Sequence, residues 1–343
     1  SDETLNKFSE GKSCISNAGS RQTNNMTDKA ADNTANEPAV RTDGKHTDST
    51  ADKYSYTVSK KGLFIDYEKI YRPLDIVYED ENVLFINKPV GMLSQKADKN
   101  DCSLVEYITS YLLHNNSLTY EDLAMFTPSI CNRLDRNTSG IVVAGKSVVG
   151  LQEMSAAFHD RTIKKYYICI VKGRVSKRVH IKGWLRKDAD VNKVNVVKNI
   201  PHGAGMDDYT AIETEYFPVC ISDELSLVKV HLITGKTHQI RAHLAYEKHP
   251  LAGDAKYGDK TFNRYFKEKY GIKNQMLHAY ELDIPNAISG NMNIDNAADK
   301  DNTYINDTGE MCIRTNVPDG FIKVLKGENL WQHGTQEDLE ALH

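Results

Sequence analysis

Nowhere in this 343-residue chain does an apolar run approach the ~18 residues that a membrane-spanning helix needs, and no segment resembles a signal peptide. Both absences lead us to expect a cytoplasmic protein with no membrane partner. No two of the six cysteines (Cys14, Cys102, Cys131, Cys169, Cys220 and Cys312) form a C-x-x-C pair or take a metal-type spacing. Several sit in apolar stretches such as "YYICIVKG", so buried, reduced thiols are expected and a bound metal is not. Residues 1 to about 55 hold few large apolar side chains and no sustained period. That composition does not offset the entropy of ordering, and the segment is expected to be a disordered linker or insertion. The remainder has globular character, and the whole chain is 40% hydrophobic and 26% charged, long enough to bury a core in one large domain or two ordinary ones. It opens on Ser1 rather than methionine, which suggests a fragment or processed product of something longer.

A net charge of −4, evenly spread, would argue against a nucleic-acid partner. It is not evenly spread. Residues 131–283 carry 25 Lys and Arg against 17 Asp and Glu, a balance of +8 that leaves −12 for the rest. The densest patch, "KGRVSKRVHIKGWLRK" (172–187), has seven basic residues and no acid. Lysines guarding a solvated strand edge explain part of it. The functional expectation is contact with an RNA backbone through Lys177, Arg178, Lys182, Arg186 and Lys187.

"DIVYEDENVLFINKP" reads as strand, acidic turn, strand. "SLVEYITSYLLH" (103–114) has helical spacing, with Ser103 as N-cap. Strand "GIVVAG" is followed by helix "SVVGLQEMSAAFHD", then by strands "KKYYICIVKG", "RVHIKGWL" and "LSLVKVHLI". "THQIRAHLAYEK" predicts a helix opened by the "TGKT" turn, and residues 286 to about 305 form a polar, irregular stretch expected to be an insertion. Short strands with interspersed helices indicate an α+β domain built on a largely antiparallel mixed sheet, covering 56–330 and followed by a tail at 331–343.

Within "CNRLDRNTSG" (131–140), Asp135 stands between Arg133 and Arg136 at the mouth of a buried strand. It is either a surface ion pair or a catalytic carboxylate whose charge its neighbours stabilise. Arg241, early in an otherwise apolar helix, needs a partner if buried, and Asp135 is the obvious candidate. Lys236, Thr237 and Arg241 at the helix start suit an anion; the plainer reading has Thr237 and His238 satisfying local backbone. His238 and His243 lie five residues apart, roughly 140° around a helix, so they do not share one metal ion. Tyr166 and Tyr167 point to opposite faces of their strand, and alternation alone does not say which faces a pocket.

"NRLDRNTSGIVVAGKS" resembles the H-R-L-D-x-x-T-S-G motif of the RluA-type RNA pseudouridine synthases. "INKPVGM" is similar to that family's N-K-P-x-G, "KKYYICIVKG" to its K-x-Y strand, and "TGKTHQIRAHLA" with "HPLAGDAKYG" to T-G-R-T-H-Q-I-R-x-H-L and H-P-I-x-G-D-x-x-Y-G. "QMLHAYEL" resembles Q-x-L-H-A, so the motifs run in order from about 75 to 285. The resemblance implies the pseudouridine synthase catalytic fold and an isomerase that converts uridine to pseudouridine without cofactor or metal. It makes Asp135 the catalytic aspartate, Tyr167 the pocket tyrosine with Tyr166 as its packed neighbour, and Arg241 the partner of Asp135. Arg133 becomes the residue that enters the base stack when the uridine flips out. Arg136, Lys236, Thr237, His238 and Arg186 are expected to contact RNA. Two departures, Asn132 for the usual histidine and Lys236 for the usual arginine, bear on those contacts. The expected substrate is large-subunit ribosomal RNA, with transfer RNA as the competitor, and the protein is expected to act as a monomer. A non-catalytic RNA-binding or assembly factor on the same scaffold is the alternative from another class. A glycosidase using Asp135 would need a second carboxylate. An alpha-L type RNA-binding domain, frequent upstream in the family, is expected to have been removed or lost.

Overall fold

The acidic turn of "DIVYEDENVLFINKP" shows how local chemistry shapes the first hairpin of the main sheet. Asp80 accepts hydrogen bonds from the backbone N–H groups of Asn82 and Val83 (2.7 and 2.8 Å), reversing the chain between β3 (Ile76–Glu79) and β4 (Val83–Lys88). A separate hairpin, β1 (Tyr56–Ser59) with β2 (Gly62–Ile65), precedes it. The computed structural model describes residues 56–59, 62–188, 193–290, 292–298 and 302–330. The expected disordered segment 1–55, with Cys14, and the tail 331–343 lie outside the described residues. Helix α1 (Leu104–His114) starts at Ser103, whose N–H and hydroxyl both donate to the Glu106 carboxylate (2.9 and 2.7 Å). The short α2 (Tyr120–Met125) and β5 (Ser129–Ile130) lead to β6 (Ser139–Gly145), buried along its whole length as its unbroken apolar run demands. Helix α3 (Val148–His159) is capped by Ser147, which accepts from the Gly150 N–H at 3.0 Å.

The strands β7 (Lys164–Lys172), β8 (Val179–Asp188), β9 (Lys193–Val197), β10 (Tyr209–Ile221) and β11 (Leu225–Leu232) form an antiparallel group. Helices α4 (Gln239–Tyr246) and α5 (Lys260–Tyr270) precede β12 (Leu277–Ile284), and α6 (Asn286–Ser289), β13 (Thr303–Ile305), β14 (Met311–Arg314) and α7 (Asp319–Gly327) complete the described chain. The main sheet runs β3-β4-β6-β12-β7-β11-β10-β8-β9, with β5, β13 and β14 attached at its flanks. Among the described residues every strand pairing is antiparallel except β6 with β12, which agrees with the expected α+β, largely antiparallel sheet. Gly140 makes that parallel seam possible. Its φ is +112°, and an added Cβ would lie 2.1 Å from the Ala279 carbonyl oxygen.

Alternation along β7 divides the core. Tyr167, Cys169 and Val171 join the cluster beneath α1 and α4, while Ile168 and Ile170 point the other way, toward α5 and α7. A third cluster packs α3 against β3, β4 and β6, and Ile288, Met292, Ile294 and Ala297 lie against it, so the polar stretch after β12 is anchored to the sheet where it is described. Cys102, Cys169, Cys220 and Cys312 are buried and Cys131 is half-buried. Among the described residues no helix is long and apolar enough to cross a membrane.

Candidate active site

The Asp135 loop is held from below by the "NKPVGM" segment. Lys88, fully buried, donates from its ammonium to the carbonyls of Pro89, Met92 and Arg136 (3.0, 3.0 and 3.3 Å). Burial drives its pKa down to about 8, against the opposing pull of Asp135. Gly91 N–H donates to the Arg136 carbonyl at 2.8 Å, and Arg136 Nε returns a bond to the Gly91 carbonyl at 3.0 Å. Ser94 Oγ accepts from Leu134 N–H (3.1 Å) and donates to the Leu134 carbonyl (2.8 Å). On the far side, Gln275 donates to Thr138 Oγ1 at 3.3 Å and His278 Nδ1 meets Ser139 Oγ at 2.8 Å. Two segments distant in sequence, 88–94 and 275–278, thus fix one loop. Asn132 faces inward: its amide donates to the Ile141 carbonyl (3.2 Å) and accepts from Val143 N–H (2.8 Å), serving as a backbone surrogate beside β6.

Arg241 meets Asp135 as expected, with Nη1 2.7 Å from Oδ2. It also forms a two-pronged pair with Asp254, Nε to Oδ2 at 2.7 Å and Nη2 to Oδ1 at 2.9 Å. Asp254 is fully buried and accepts backbone N–H bonds from Lys256 and Tyr257. Burial raises the Asp254 pKa, but the bonds and charge of Arg241 outweigh it and hold the carboxyl below its ordinary range. The Arg241 guanidinium is held above its usual value despite burial, by Asp254 and then Asp135. Sequence reasoning singled out neither Asp254 nor Tyr257, although both lie in the quoted "HPLAGDAKYG".

Helix α4 starts at Gln239, two residues later than the sequence predicts. His238 caps it in a left-handed conformation (φ 55°), which leaves its Nε2 3.8 Å from Asp135 Oδ2. Tyr257 Oη lies 3.0 Å from His238 Nδ1 and already accepts the Val194 N–H at 2.8 Å. Its own proton is free for Nδ1, which leaves the neutral ring carrying its proton on Nε2, toward Asp135. Burial lowers the His238 pKa more than the Asp135 charge raises it. The buried Gln239 ties the preceding loop down, accepting from Lys236 N–H (3.1 Å) and Thr234 Oγ1 (2.8 Å). His243 diverges from His238 and bonds Thr214 Oγ1 at 3.0 Å. No group of three His, Cys, Asp or Glu side chains suited to a metal occurs among the described residues.

Asp135, His238, Gln239 and Arg241 line a cleft of about 710 Å³. Tyr167 is buried in its wall, and burial, then the Asp135 charge, pushes its hydroxyl pKa up, so it stays a neutral phenol. Tyr166 faces away and stacks on His231, ring centres 4.9 Å apart. Arg133, Arg136, Lys236 and Thr237 stand exposed at the rim. Arg186 is not part of this group. Strand register puts it opposite Tyr209, and the face shared by Tyr209, Glu213 and Glu215 is the one turned away from Tyr167 and α4. Arg186, expected from the sequence to contact RNA, therefore lies by pleat parity on the face of the sheet opposite the cleft. Arg178 and Lys182, on the same outer face, pair with Glu215 and Glu213 at 3.1 Å each, while Lys187 shares the α4 face with Leu185 and Val194.

The sequence profile of the RNA pseudouridylate synthase family matches residues 82–246, from β4 through α4. An uncharacterized RNA pseudouridine synthase of Mycoplasma genitalium is 32% identical over 224 residues, 65% of this chain and 67% of its own length. The ribosomal large subunit pseudouridine synthase D of Zymomonas mobilis is 33% identical over 221 residues, 64% of this chain and 67% of its own. Among solved structures, human RNA pseudouridylate synthase domain containing 4 shares the fold, with a TM-score of 0.54 at 19% identity, covering 73% of this chain and 91% of its own. With the family's motifs meeting around one cleft and relatives of this similarity, the chain belongs to the RluA-type RNA pseudouridine synthases and is an RNA isomerase.

Proposed function

We propose that this protein isomerises uridine in large-subunit ribosomal RNA, in the cytoplasm and as a monomer, with Asp135 as the catalytic carboxylate. The observation that carries the site reading is the pairing of Asp135 with Arg241, itself fixed by the fully buried Asp254, at the floor of a cleft with a basic rim. The name of the Zymomonas mobilis relative supports the choice of RNA.

The reaction breaks the N1–C1′ bond of uridine, turns the uracil and joins C5 to C1′; the C5 proton leaves and N1 ends protonated. No net redox change occurs. Asp135 acts at the ribose, as nucleophile on C1′ or as base, and Arg241 holds its oxygen in place. Tyr167, as a neutral phenol, packs against the extruded uracil. Arg133, exposed and without a hydrogen bond or ion pair among the described residues, is free to fill the gap left in the stack, which offsets a few kcal/mol of unstacking. Arg136, Lys236, Thr237 and His238 border the bound nucleotide.

Incubation with unmodified large-subunit ribosomal RNA, followed by mapping of carbodiimide-reactive uridines, tests this reading. New pseudouridine at defined positions is expected. Tight binding without product would instead favour an assembly factor, and product confined to transfer RNA would replace the substrate.

A further inference from the structure

Lys165 lies two residues before Tyr167 on β7, so both project from one face of the strand, roughly 6–7 Å apart along it. It lines the same cleft as Asp135 and is only 8% exposed. Its ammonium nevertheless makes no hydrogen bond or ion pair among the described residues. Other buried cations here are compensated: Lys88 by three carbonyls, Arg241 by two carboxylates. The charge that acts on Lys165 is of the same sign. It belongs to Arg161, at the turn between α3 and β7 with φ 62°, and the Arg161 guanidinium likewise has no partner among the described residues.

A buried, unpaired ammonium beside a second cation is strongly unfavourable unless a ligand brings negative charge. The described residues do not supply that charge locally: among them Asp135 is the one carboxylate lining the cleft, and it is committed to Arg241. We propose that Lys165, with Arg161 at its outer side, forms a seat for a backbone phosphate of the RNA next to the nucleotide held by Tyr167. Two donors of one sign, one sunk in the wall and one at the mouth, suit a phosphodiester, whose two free oxygens are both acceptors. The inference rests on the cleft being the RNA site. It adds a second anchor, on the α3–β7 side of the pocket, to the Lys236–His238 loop on the other side.

The test uses the full chain and a transcript of unmodified large-subunit ribosomal RNA. Lys165→Met keeps the length and apolar stem while removing the charge. Its thermal midpoint should equal or exceed wild type, because an unpaired charge leaves the interior. Its RNA affinity should fall several-fold, and the slope of log affinity against log salt should shrink by about 0.7, the value for one single-strand phosphate contact. Lys165→Arg should restore the slope, and adding Arg161→Met to Lys165→Met should remove about another 0.7. A slope unchanged in Lys165→Met overturns the seat, as does a lower thermal midpoint with wild-type affinity, which would make the lysine structural. Pseudouridine yield of the wild type reads the substrate proposal separately. RNA that binds but is not modified overturns that proposal, while the slope still decides the seat.

Discussion

Two clusters of this molecule set basic side chains against carboxylates, and they differ in nearly everything else. Under α4, Arg241 (5% exposed) is shared by Asp135 and the fully buried Asp254. On the outer face of β8 and β10, Arg178, His180 and Lys182 meet Glu215 and Glu213 in water, with Arg178 and Lys182 themselves more than half exposed. Pairs of the second kind are worth about 0–1 kcal/mol and weaken in salt. Breaking a pair of the first kind costs about 3–5 kcal/mol, because the survivor is left charged and dry. A dense run of positive charge in the sequence therefore says less about function than one arginine on an apolar helix.

The comparison breaks most visibly at Asp135. Asp135→Asn should lower pseudouridine formation by at least about a thousandfold while RNA affinity stays within a few fold, since binding rests on phosphate contacts elsewhere. Retention of activity within about tenfold of wild type would remove the aspartate from its role. Arg241→Ala should destabilise the fold by about 3–5 kcal/mol in urea unfolding and abolish activity, because it strands Asp254. A fully stable, active variant would put the buried cluster on a par with the outer one.

Acid should reach the buried side first. Burial lowers His243 to about 4 and His278 to about 3, from a usual 6.5. Because these folded values lie below the unfolded one, each histidine's contribution is complete above about pH 6.5 and is lost as pH falls toward its folded value. The slope is about 1.4 kcal/mol per pH unit for each. Unfolding measured from pH 7 to 4.5 should show this decline, and His243→Gln should flatten it.

The smallest effects belong to the basic strand β8 and its outer-face pairs. Lys187→Ala should reduce the salt slope of RNA binding by about 0.7–0.9, since Lys187 shares the α4 face, whereas Arg186→Ala should leave it unchanged. Equal effects would mean that RNA wraps the edge of the sheet. Glu213→Gln, which weakens the exposed pairs of His180 and Lys182, should shift stability by no more than about 0.5 kcal/mol.

Much of the framework around the cleft was legible in the residues. Patterning and caps located α1, β6, α3, β7 and β11, and the ordered motifs led to Asp135, Arg241 and Tyr167. Strand β10 was harder to see, because Pro218 interrupts it at a bulge and glutamates alternate along its solvent face. The side of the sheet on which Arg186 lies was not legible, because alternation gives two faces without saying which one meets the helix; the register with β10 identifies it. The late start of α4 escaped because His238 adopts a backbone conformation rare for a non-glycine residue, stabilised through Tyr257 and Val194 far along the chain. Asp254 stands at the D of the quoted H-P-I-x-G-D-x-x-Y-G motif, but nothing local to it says what it binds. Its significance depends on an arginine thirteen positions earlier, turned back onto it by the loop after α4.

That second carboxylate has a consequence for turnover. The trio of Asp135, Arg241 and Asp254 holds one positive and two negative charges, one more negative charge than Arg241 needs. If Asp135 bonds to the ribose carbon along the proposed route, it surrenders its charge. Arg241 then remains balanced by Asp254 and has no cause to swing toward the substrate or recruit an anion from solvent. The spare counter-charge acts as ballast: the machinery around the scissile bond can stay still while the charge of its central group comes and goes.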